Sequence, residues 1–310
     1  MKTVSILIAT YNEEENVEPL YEALVNEFKT NVKGYNYEIV FIDNYSQDKT
    51  REKLIGLCKK DKNVKAIFNA KNFGHIRSPY HGMLQTTGDC TISMVADFQD
   101  PVDMVHKFVK EWEDGYKIVI GIKKTSKENG LMYFLRSCYY KLIKKISSTE
   151  QIEHFTGFGL YDKEFIDVLR NLKDPMPYFR GIIAELGFER KEIPYDQPKR
   201  LHGKSKNNFY TLYDMAMLGI TSYSKVIVRL ATMLGFALSV LSVTVGLVYF
   251  VLKLVYWDRF PAGMAPLTIG VFFMGSVQMF FLGLIGEYVL NINTRVMNRP
   301  LVVESKRINF

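Results

Sequence analysis

Two long stretches near the C-terminus carry no charged side chain. They run over residues 230–252 and 260–286, and leucine, valine, phenylalanine, methionine and glycine are frequent in them. An α-helix needs about 20 apolar residues to cross the hydrocarbon core of a bilayer. Both stretches are long enough, and the polar segment between them is short. We therefore predict a hairpin of two transmembrane helices at about 228–254 and 262–288, with a pair of buried core helices as the alternative.

Basic residues beside these stretches predict the orientation of the hairpin. Lys225 precedes the first stretch, and Arg295 and Arg299 follow the second, whereas the loop between them has little net charge. Basic residues favour the cytoplasmic side of a membrane, so both chain termini are expected in the cytoplasm. The predicted organisation is a cytoplasmic domain at 1–224 and a membrane unit at 225–310. The second unit ends in a short cytoplasmic tail, and the protein is expected in the inner (cytoplasmic) membrane as a multi-pass protein.

Short apolar runs alternate with helical segments in the first part of the chain. The predicted strands are 4–9, 37–42, 64–68, 91–95 and 117–122. The predicted helices are 14–28, 51–60, 76–87 and 103–113. This alternation is typical of an α/β domain with a parallel or mostly parallel sheet and helices on both faces.

Polar clusters follow three of the predicted strands directly. Their sequences are TYNEEEN at 10–16, DNYSQDKT at 43–50 and DFQDP at 97–101. Ligands of a parallel sheet bind beyond the carboxyl ends of its strands, so we expect the three clusters to lie at one ligand-binding edge. A surface turn is the alternative for any single cluster. The glycine loops GxGxxG, after the first strand, and GxxxxGK[ST] do not occur, which disfavours the usual dinucleotide and P-loop sites.

Composition limits the other classes of function. The chain has 310 residues and a formal net charge of +7, which suits nucleic acid, an anionic membrane surface or a phosphorylated substrate. Its three cysteines, Cys58, Cys90 and Cys138, are far apart and favour neither disulfides nor a zinc site. Basic patches alone would not explain three acidic clusters at strand ends, so no nucleic-acid partner is expected.

Two basic segments are candidates for binding phosphates or a membrane surface. Residues 131–147 form an amphipathic pattern of aromatic and basic residues, which suits a membrane surface and an ordinary solvated helix equally well. Residues 198–208, PKRLHGKSKNN, are basic and polar. A segment of this kind either clamps phosphates or serves as a solvated linker.

The motifs, taken in order, resemble family 2 glycosyltransferases, and most closely the polyprenyl-phosphate enzymes of the dolichyl-phosphate mannosyltransferase and bactoprenol glucosyltransferase type. They are YNEEEN, DNYSQDKT, KNFGH and ADFQDP, then GEY at 286–288 and RP at 299–300. The resemblance covers nearly the whole chain. It implies a GT-A fold, Rossmann-like with a mostly parallel sheet, joined to the transmembrane hairpin.

The same resemblance implies an activity. A sugar would pass, with inversion, from a nucleotide-diphosphate donor to a polyprenyl phosphate such as undecaprenyl phosphate, for cell-surface glycan synthesis or modification. A UDP-hexose is the favoured donor, and Mg²⁺ or Mn²⁺ is the expected cofactor. A homo-oligomer assembled through the spans is compatible with the resemblance.

Site residues follow from the resemblance, position by position. The residues matched to nucleotide-sugar binding are Ala9, Tyr11, Glu13, Asp43, Asp97 and Gln99. The residues matched to the metal are Asp97 and Gln99. The residues matched to catalysis are Asp97, Arg136, Arg200 and Lys206, with Arg136 meeting the acceptor phosphate. A phosphate monoester, with a second pKa of about 6, is largely ionised at neutral pH, so it can attack without a strong base and no general base is assigned.

Several positions depart from the family pattern. Val95 stands where the first Asp of Asp-x-Asp is usual, and Asn44 stands where a second Asp is common. Gly157 and Gly159 replace an Asp and an Arg. The changes spare the metal ligand but alter the donor pocket, which leaves open a catalytically inactive protein that binds a nucleotide sugar or a partner. A processive polysaccharide synthase is disfavoured because neither tryptophan lies in a Q-x-x-R-W motif.

Overall fold

The computed structural model describes residues 1–124, 152, 154–172, 174–198, 217, 226–256, 264–297 and 299–310. The strands are β1 (Thr3–Thr10), β2 (Asn36–Asp43), β3 (Val64–Asn69), β4 (Cys90–Val95), β5 (Ile118–Lys123), β6 (Phe155–Asp162), β7 (Arg190–Tyr195) and β8 (Glu304–Ile308). The helices are α1 (Val17–Thr30), α2 (Thr50–Lys60), α3 (Gly74–Leu84), α4 (Met104–Glu113), α5 (Lys163–Leu172), α6 (Phe179–Leu186), α7 (Val226–Val255) and α8 (Met264–Val296).

The strands of the described residues form one sheet in the order β7-β5-β6-β4-β1-β2-β3-β8. Strand β1 pairs in parallel with β2 and β4, β2 with β3, and β5 with β7. Strands β6 and β8 run antiparallel to their neighbours. The prediction of a mostly parallel α/β sheet is therefore confirmed. The register pairs Ala9 with both Ile42 and Val95, so the carboxyl ends of β1, β2 and β4 meet at one edge.

Helices cover both faces of this sheet. Successive side chains of a strand point to opposite faces, and β1 shows the consequence. Ile6 and Ile8 pack into the layer formed with α1, α2 and α4. Leu7 packs into the other layer, with α3, α5 and α6. All three side chains are fully buried, as expected for a strand in the middle of a parallel sheet.

Helix α1 begins later than the sequence pattern predicts, at Val17 rather than at residue 14. Three successive backbone N–H groups, those of Asn12, Glu13 and Glu14, donate hydrogen bonds outside the helix. Their acceptors are Ser46 Oγ, Thr50 Oγ1 and Asp48 Oδ2, at 2.9, 2.8 and 3.2 Å. The loop after β1 is thus held by the loop after β2 and the first residue of α2, and α1 begins after these three donors.

Both antiparallel strands were absent from the sequence prediction. Strand β6 has the sequence FTGFGLYD, in which Gly157 and Gly159 interrupt the apolar pattern. Strand β8 has the sequence ESKRI, mostly polar and charged, which is typical of an edge strand and also of a solvated tail. Local sequence cannot separate those two outcomes, because the pairing of β8 with β3 joins residues far apart in the chain.

The C-terminal tail closes the β3 edge of the sheet through side chains as well as backbone. The Asn309 amide donates hydrogen bonds to the carbonyl oxygens of Cys58 and Val64, at 2.7 and 2.8 Å. Glu304 pairs with His81 at 2.5 Å and with Arg307. Burial alone would raise the pKa of Glu304, but the hydrogen bonds from Arg307 and His81 outweigh it and hold the pKa below its ordinary value.

Two long helices lie where the membrane spans are predicted. Helix α7 covers the predicted 228–254, and α8 covers most of the predicted 262–288 and continues to Val296. Among the described residues, one segment, Phe273–Val296, is long and apolar enough to cross a membrane. Large apolar side chains lie exposed on both helices, Phe236 and Phe280 among them. The hairpin and the division of the chain at residue 225 remain predictions.

Replacing Asn309 with alanine is expected to lower the free energy of unfolding by about 1–3 kcal/mol, because two hydrogen bonds to the sheet domain are lost. Asn309 also has a φ of 64°, which alanine adopts at a cost. Urea unfolding of detergent-purified protein, followed by fluorescence of the buried Trp112, measures the change. Lys306→Ala, at an exposed position of β8 in the same C-terminal tail, is the control. Equal stability of the two variants would show that Asn309 does not anchor the tail.

Candidate active site

A sharp turn after β4 holds both predicted metal-binding residues, Asp97 and Gln99. The buried Asp97 accepts a hydrogen bond at Oδ1 from the Gln99 backbone N–H, at 3.1 Å. Phe98, between them, has a φ of 60°, in the left-handed region that residues with a Cβ seldom adopt. The turn therefore places a carboxylate and an amide side chain just beyond the carboxyl end of β4.

Asp100 fixes the far end of this turn. Its Oδ2 accepts from the Val95 backbone N–H at 3.0 Å, and its Oδ1 accepts from the Tyr195 hydroxyl at 3.3 Å. Burial raises the pKa of Asp100 to about 7; the hydrogen bond from Val95 opposes the rise, and the charge of Asp97 adds to it. Asp100 thus ties the last residue of β4 to β7 and closes the turn from inside the domain.

The loops after β1 and β2 lie together at the same edge. Tyr11 and Glu13 belong to the first loop, and Asp43 is the last residue of β2. The Asp43 carboxylate is fully buried, pairs with Arg51 Nε at 2.6 Å and accepts from the Ser46 backbone N–H at 3.2 Å. The Asp43 carboxylate therefore holds the second loop in place. The sequence pattern did not predict this structural role, because the partner Arg51 lies in the following helix.

Asn44 connects the end of β2 to the loop after β3. Its side-chain Nδ2 donates to Asn72 Oδ1 at 2.9 Å and to the Gly74 carbonyl oxygen at 3.1 Å. Its Oδ1 accepts from the Phe73 backbone N–H at 2.8 Å and from Asn69 Nδ2 at 3.2 Å. An ionised aspartate could not donate to Asn72 or Gly74. The hydrogen bonds around position 44 therefore require an amide side chain, which both donates and accepts.

A cavity of about 210 Å³ opens beside the turn, on the face covered by α3 and α6. Its lining includes Ala9, Val95, Asp100, Gly157, Tyr178 and Arg180. Val95 is 40% exposed, although it is apolar. The polar turn and the cavity share Asp100, so a ligand with a charged end and an uncharged body could bind across both.

A profile of the family described as glycosyl transferase family 2 matches residues 5–186. The chain belongs to glycosyl transferase family 2. It is accordingly a glycosyltransferase, and its mostly parallel sheet with helices on both faces is of the GT-A type. The expectations of family 2 and of a GT-A fold, drawn from the sequence motifs, are confirmed.

Relatives within family 2 match almost end to end. The chain is 30% identical over 303 residues to an uncharacterized glycosyltransferase of Synechocystis sp., covering 97% of this chain and 94% of the relative. It is 28% identical over 298 residues to the bactoprenol glucosyl transferase of Shigella phage SfX, covering 96% and 97%. Among solved structures, it is similar to mannosyl-3-phosphoglycerate synthase from Rubrobacter xylanophilus, with 14% identity, a TM-score of 0.48 and coverage of 76% and 75%.

The two glycines that depart from the family 2 pattern have different surroundings. Gly157 has a φ of 103° and open space where a Cβ would lie. At Gly159, a Cβ would come within 2.5 Å of the Val119 carbonyl oxygen on the neighbouring strand. An arginine does not fit at Gly159 unless β5 moves. The packing of β5 against β6 therefore requires a glycine at this position.

The residues of the turn fit a divalent cation that is shared with a phosphorylated ligand. Within the described ranges, no group of three or more His, Cys, Asp or Glu residues could hold a metal ion alone. Asp97 and Gln99 offer a carboxylate and an amide oxygen. Magnesium characteristically binds through one or two carboxylates together with substrate phosphates, and manganese also suits oxygen ligands.

The structure brings most of the sequence-predicted residues to one edge of the sheet. They are Ala9, Tyr11, Glu13, Asp43, Asp97 and Gln99. Arg136, Arg200 and Lys206 lie outside the described residues. The contributions of Arg51 and Tyr195 were not predicted, because both act through contacts between distant elements.

Replacing Gly159 with alanine is expected to lower the free energy of unfolding by about 1–3 kcal/mol, since the added methyl group meets backbone. Gly56→Ala, in the exposed middle of α2 with open space around it, is the matched control. That change should raise the free energy of unfolding by up to about 1 kcal/mol, because alanine favours helices. Urea unfolding measures both, and an unchanged Gly159→Ala protein would contradict the tight β5–β6 contact.

Proposed function

We propose that this protein transfers a hexose from a UDP-hexose to a polyprenyl phosphate, such as undecaprenyl phosphate, at the cytoplasmic face of the inner membrane. The product would serve the synthesis or modification of a cell-surface glycan. The observation that carries the proposal is the Asp97–Gln99 turn, which lies beside the loops after β1 and β2 at one sheet edge. Near full-length similarity to relatives named bactoprenol glucosyl transferase supports the lipid acceptor.

The nucleotide of the donor binds to the loops after β1 and β2 in this proposal. Ala9, Tyr11, Glu13 and Asp43 line its site. Asp97 and Gln99 would hold Mg²⁺ or Mn²⁺ together with the diphosphate, and the cation would supply positive charge next to the departing nucleotide. Asp97 is only 4% exposed, so its charge acts with little screening by water.

The hexose extends from the diphosphate into the cavity beside Val95. An apolar side chain at this position accepts the body of the sugar without adding a second carboxylate next to Asp97. Tyr178 and Arg180 also line this cavity and supply polar groups for the sugar hydroxyls. The cavity thereby holds the anomeric carbon between the diphosphate and the incoming acceptor.

The acceptor phosphate is positioned by basic residues. Arg136, Arg200 and Lys206 are the proposed cations, because their positive charge offsets the repulsion between the acceptor phosphate and the donor diphosphate. An acceptor phosphate oxygen forms a bond to the anomeric carbon while the bond from that carbon to the diphosphate oxygen breaks. The electron pair leaves with the nucleotide diphosphate, and in-line attack inverts the anomeric configuration.

A hairpin of α7 and α8 anchors the protein in the membrane. Its support is the exposed apolar surface of both helices, which is unfavourable in water and favourable in lipid. Residues 1–224 then form the cytoplasmic domain, and 225–310 contain the two spans and the tail. Assembly into a homo-oligomer through the spans is compatible with this surface.

Purified protein in detergent is expected to convert undecaprenyl phosphate to a glycosyl lipid with one member of a panel of UDP- and GDP-sugars. Mass spectrometry detects the product, and the mass added names the sugar class. EDTA should remove the activity, and Mg²⁺ or Mn²⁺ should restore it. Donor binding with no product from any sugar would instead identify a catalytically inactive nucleotide-sugar-binding protein, with Val95 and Gly157 as the departures responsible.

Asp97→Asn is expected to lower the rate of transfer by about 100-fold or more, because the charge that holds the cation is lost at the reacting diphosphate. Its unfolding midpoint should stay near that of the wild type. Asp103→Asn removes the same charge from an exposed residue that pairs with Lys107, so it should retain activity. Full activity of Asp97→Asn would exclude the proposed metal ligand.

A further inference from the structure

Tyr45 is an exposed aromatic residue at the edge of the proposed donor site. It follows β2 and is 41% exposed. Among the described residues up to Pro198, the exposed large apolar side chains are Met1, Tyr45, Val95 and Leu172. Two of them, Tyr45 and Val95, lie at strand ends of the same sheet edge, and Val95 already lines the cavity.

The backbone at Tyr45 does not favour a tyrosine. Its φ is 70°, in the left-handed region, where a Cβ crowds the neighbouring carbonyl oxygen. Glycine and asparagine adopt this conformation at lower cost and are common in turns of this kind. The folding of the loop therefore does not explain an aromatic ring at this position.

Arg51 supports one side of the Tyr45 ring. The guanidinium carbon lies 5.1 Å from the ring centroid, at cation–π distance. The guanidinium is itself fixed, because Nε pairs with Asp43 at 2.6 Å and Nη2 donates to the Asn69 carbonyl oxygen at 2.7 Å. Because the Arg51 guanidinium is fixed by these contacts, it limits the orientations of the Tyr45 ring. A ligand that binds to the ring therefore causes little further loss of side-chain entropy.

Tyr45 also lies next to the loop that carries Tyr11. The Asn12 backbone N–H donates to Ser46 Oγ at 2.9 Å, and the Gln47 backbone N–H donates to Asn12 Oδ1 at 2.8 Å. The first bond joins the residues that directly follow Tyr11 and Tyr45, and the second joins Asn12 to the next residue of the second loop. Both aromatic residues are thus presented at the edge where the nucleotide is proposed to bind.

We propose that the Tyr45 ring, held by Arg51, is a stacking surface for the nucleobase of the donor. The inference rests on the proposed function, because it requires a nucleotide-sugar donor. Every nucleobase has a flat π face, so an aromatic ring contributes affinity for uracil and guanine alike. Tyr45 would therefore strengthen donor binding, while the choice of base is left to hydrogen-bonding groups of the loops.

Two substitutions test the role of the ring. Tyr45→Asn removes it and suits the left-handed backbone, whereas Tyr45→Phe keeps it. Calorimetric titration of the full-length protein with UDP and GDP, in the presence of Mg²⁺, gives the dissociation constants. Inorganic pyrophosphate, titrated in the same buffer, probes the diphosphate site without a base, and thermal unfolding without ligand reports stability.

The expected pattern separates stacking from a structural role. Tyr45→Asn should bind the nucleotide about tenfold more weakly, bind pyrophosphate as the wild type does, and unfold at the same or a higher temperature. Tyr45→Phe should bind the nucleotide with nearly wild-type affinity.

Three results would overturn the inference. Unchanged nucleotide affinity in Tyr45→Asn would show that the ring does not contact the base. An equal loss for pyrophosphate, with a lower unfolding temperature, would assign the ring to the structure of the loop. Wild-type protein that binds neither UDP nor GDP would remove the proposed donor, and with it both the proposed function and this role of Tyr45.

Discussion

The parallel pairing of β1 with β2 and β4 is the constraint on which the rest of the site depends. Ala9 is in register with Ile42 on one side and Val95 on the other, so three polar loops leave the sheet at one level. Side chains of β1 are buried on both faces, and a shift by one residue would move each of them into the opposite layer. The same packing that stabilises the core therefore fixes the height of Asp97 relative to Asp43.

Contacts between the loops then fix the positions of the residues that the strand register brings to this edge. Asp43 pairs with Arg51 and accepts a hydrogen bond from the Ser46 backbone N–H. Asn44 joins the loops after β2 and β3 through four hydrogen bonds. Buried polar groups are costly unless they are satisfied, so these contacts favour one arrangement of the loops over others. Positive φ angles at Asn12, Tyr45 and Phe98 show where the backbone is bent to meet that arrangement. Strained positions of this kind concentrate at functional sites.

The sequence predicted best those features that depend on residues close together in the chain. Five apolar runs predicted β1 to β5, and the polar clusters after three of them predicted the edge that carries Asp97. Strand β6 was not predicted because Gly159 is required by the close approach of the Val119 carbonyl oxygen, a contact with no local signature. Strand β8 and the pairing of Arg51 with Asp43 depend on contacts between separate elements, so hydrophobic periodicity could not reveal them.

The C-terminal tail gives the sheet a second connection to the apolar helices. After α8 the chain returns to the edge of β3, and Arg295, in the last turn of α8, pairs with Asp174 at 3.0 Å. Arg77 of α3 donates a hydrogen bond to the Pro300 carbonyl oxygen. The segment between α8 and β8 is therefore attached to the sheet domain before β8 begins. These contacts attach the sheet to the end of α8 and restrict its tilting relative to that helix. Under the proposed function, in which the acceptor phosphate belongs to a membrane lipid, that restriction reduces the reorientation that the reacting groups need at each encounter.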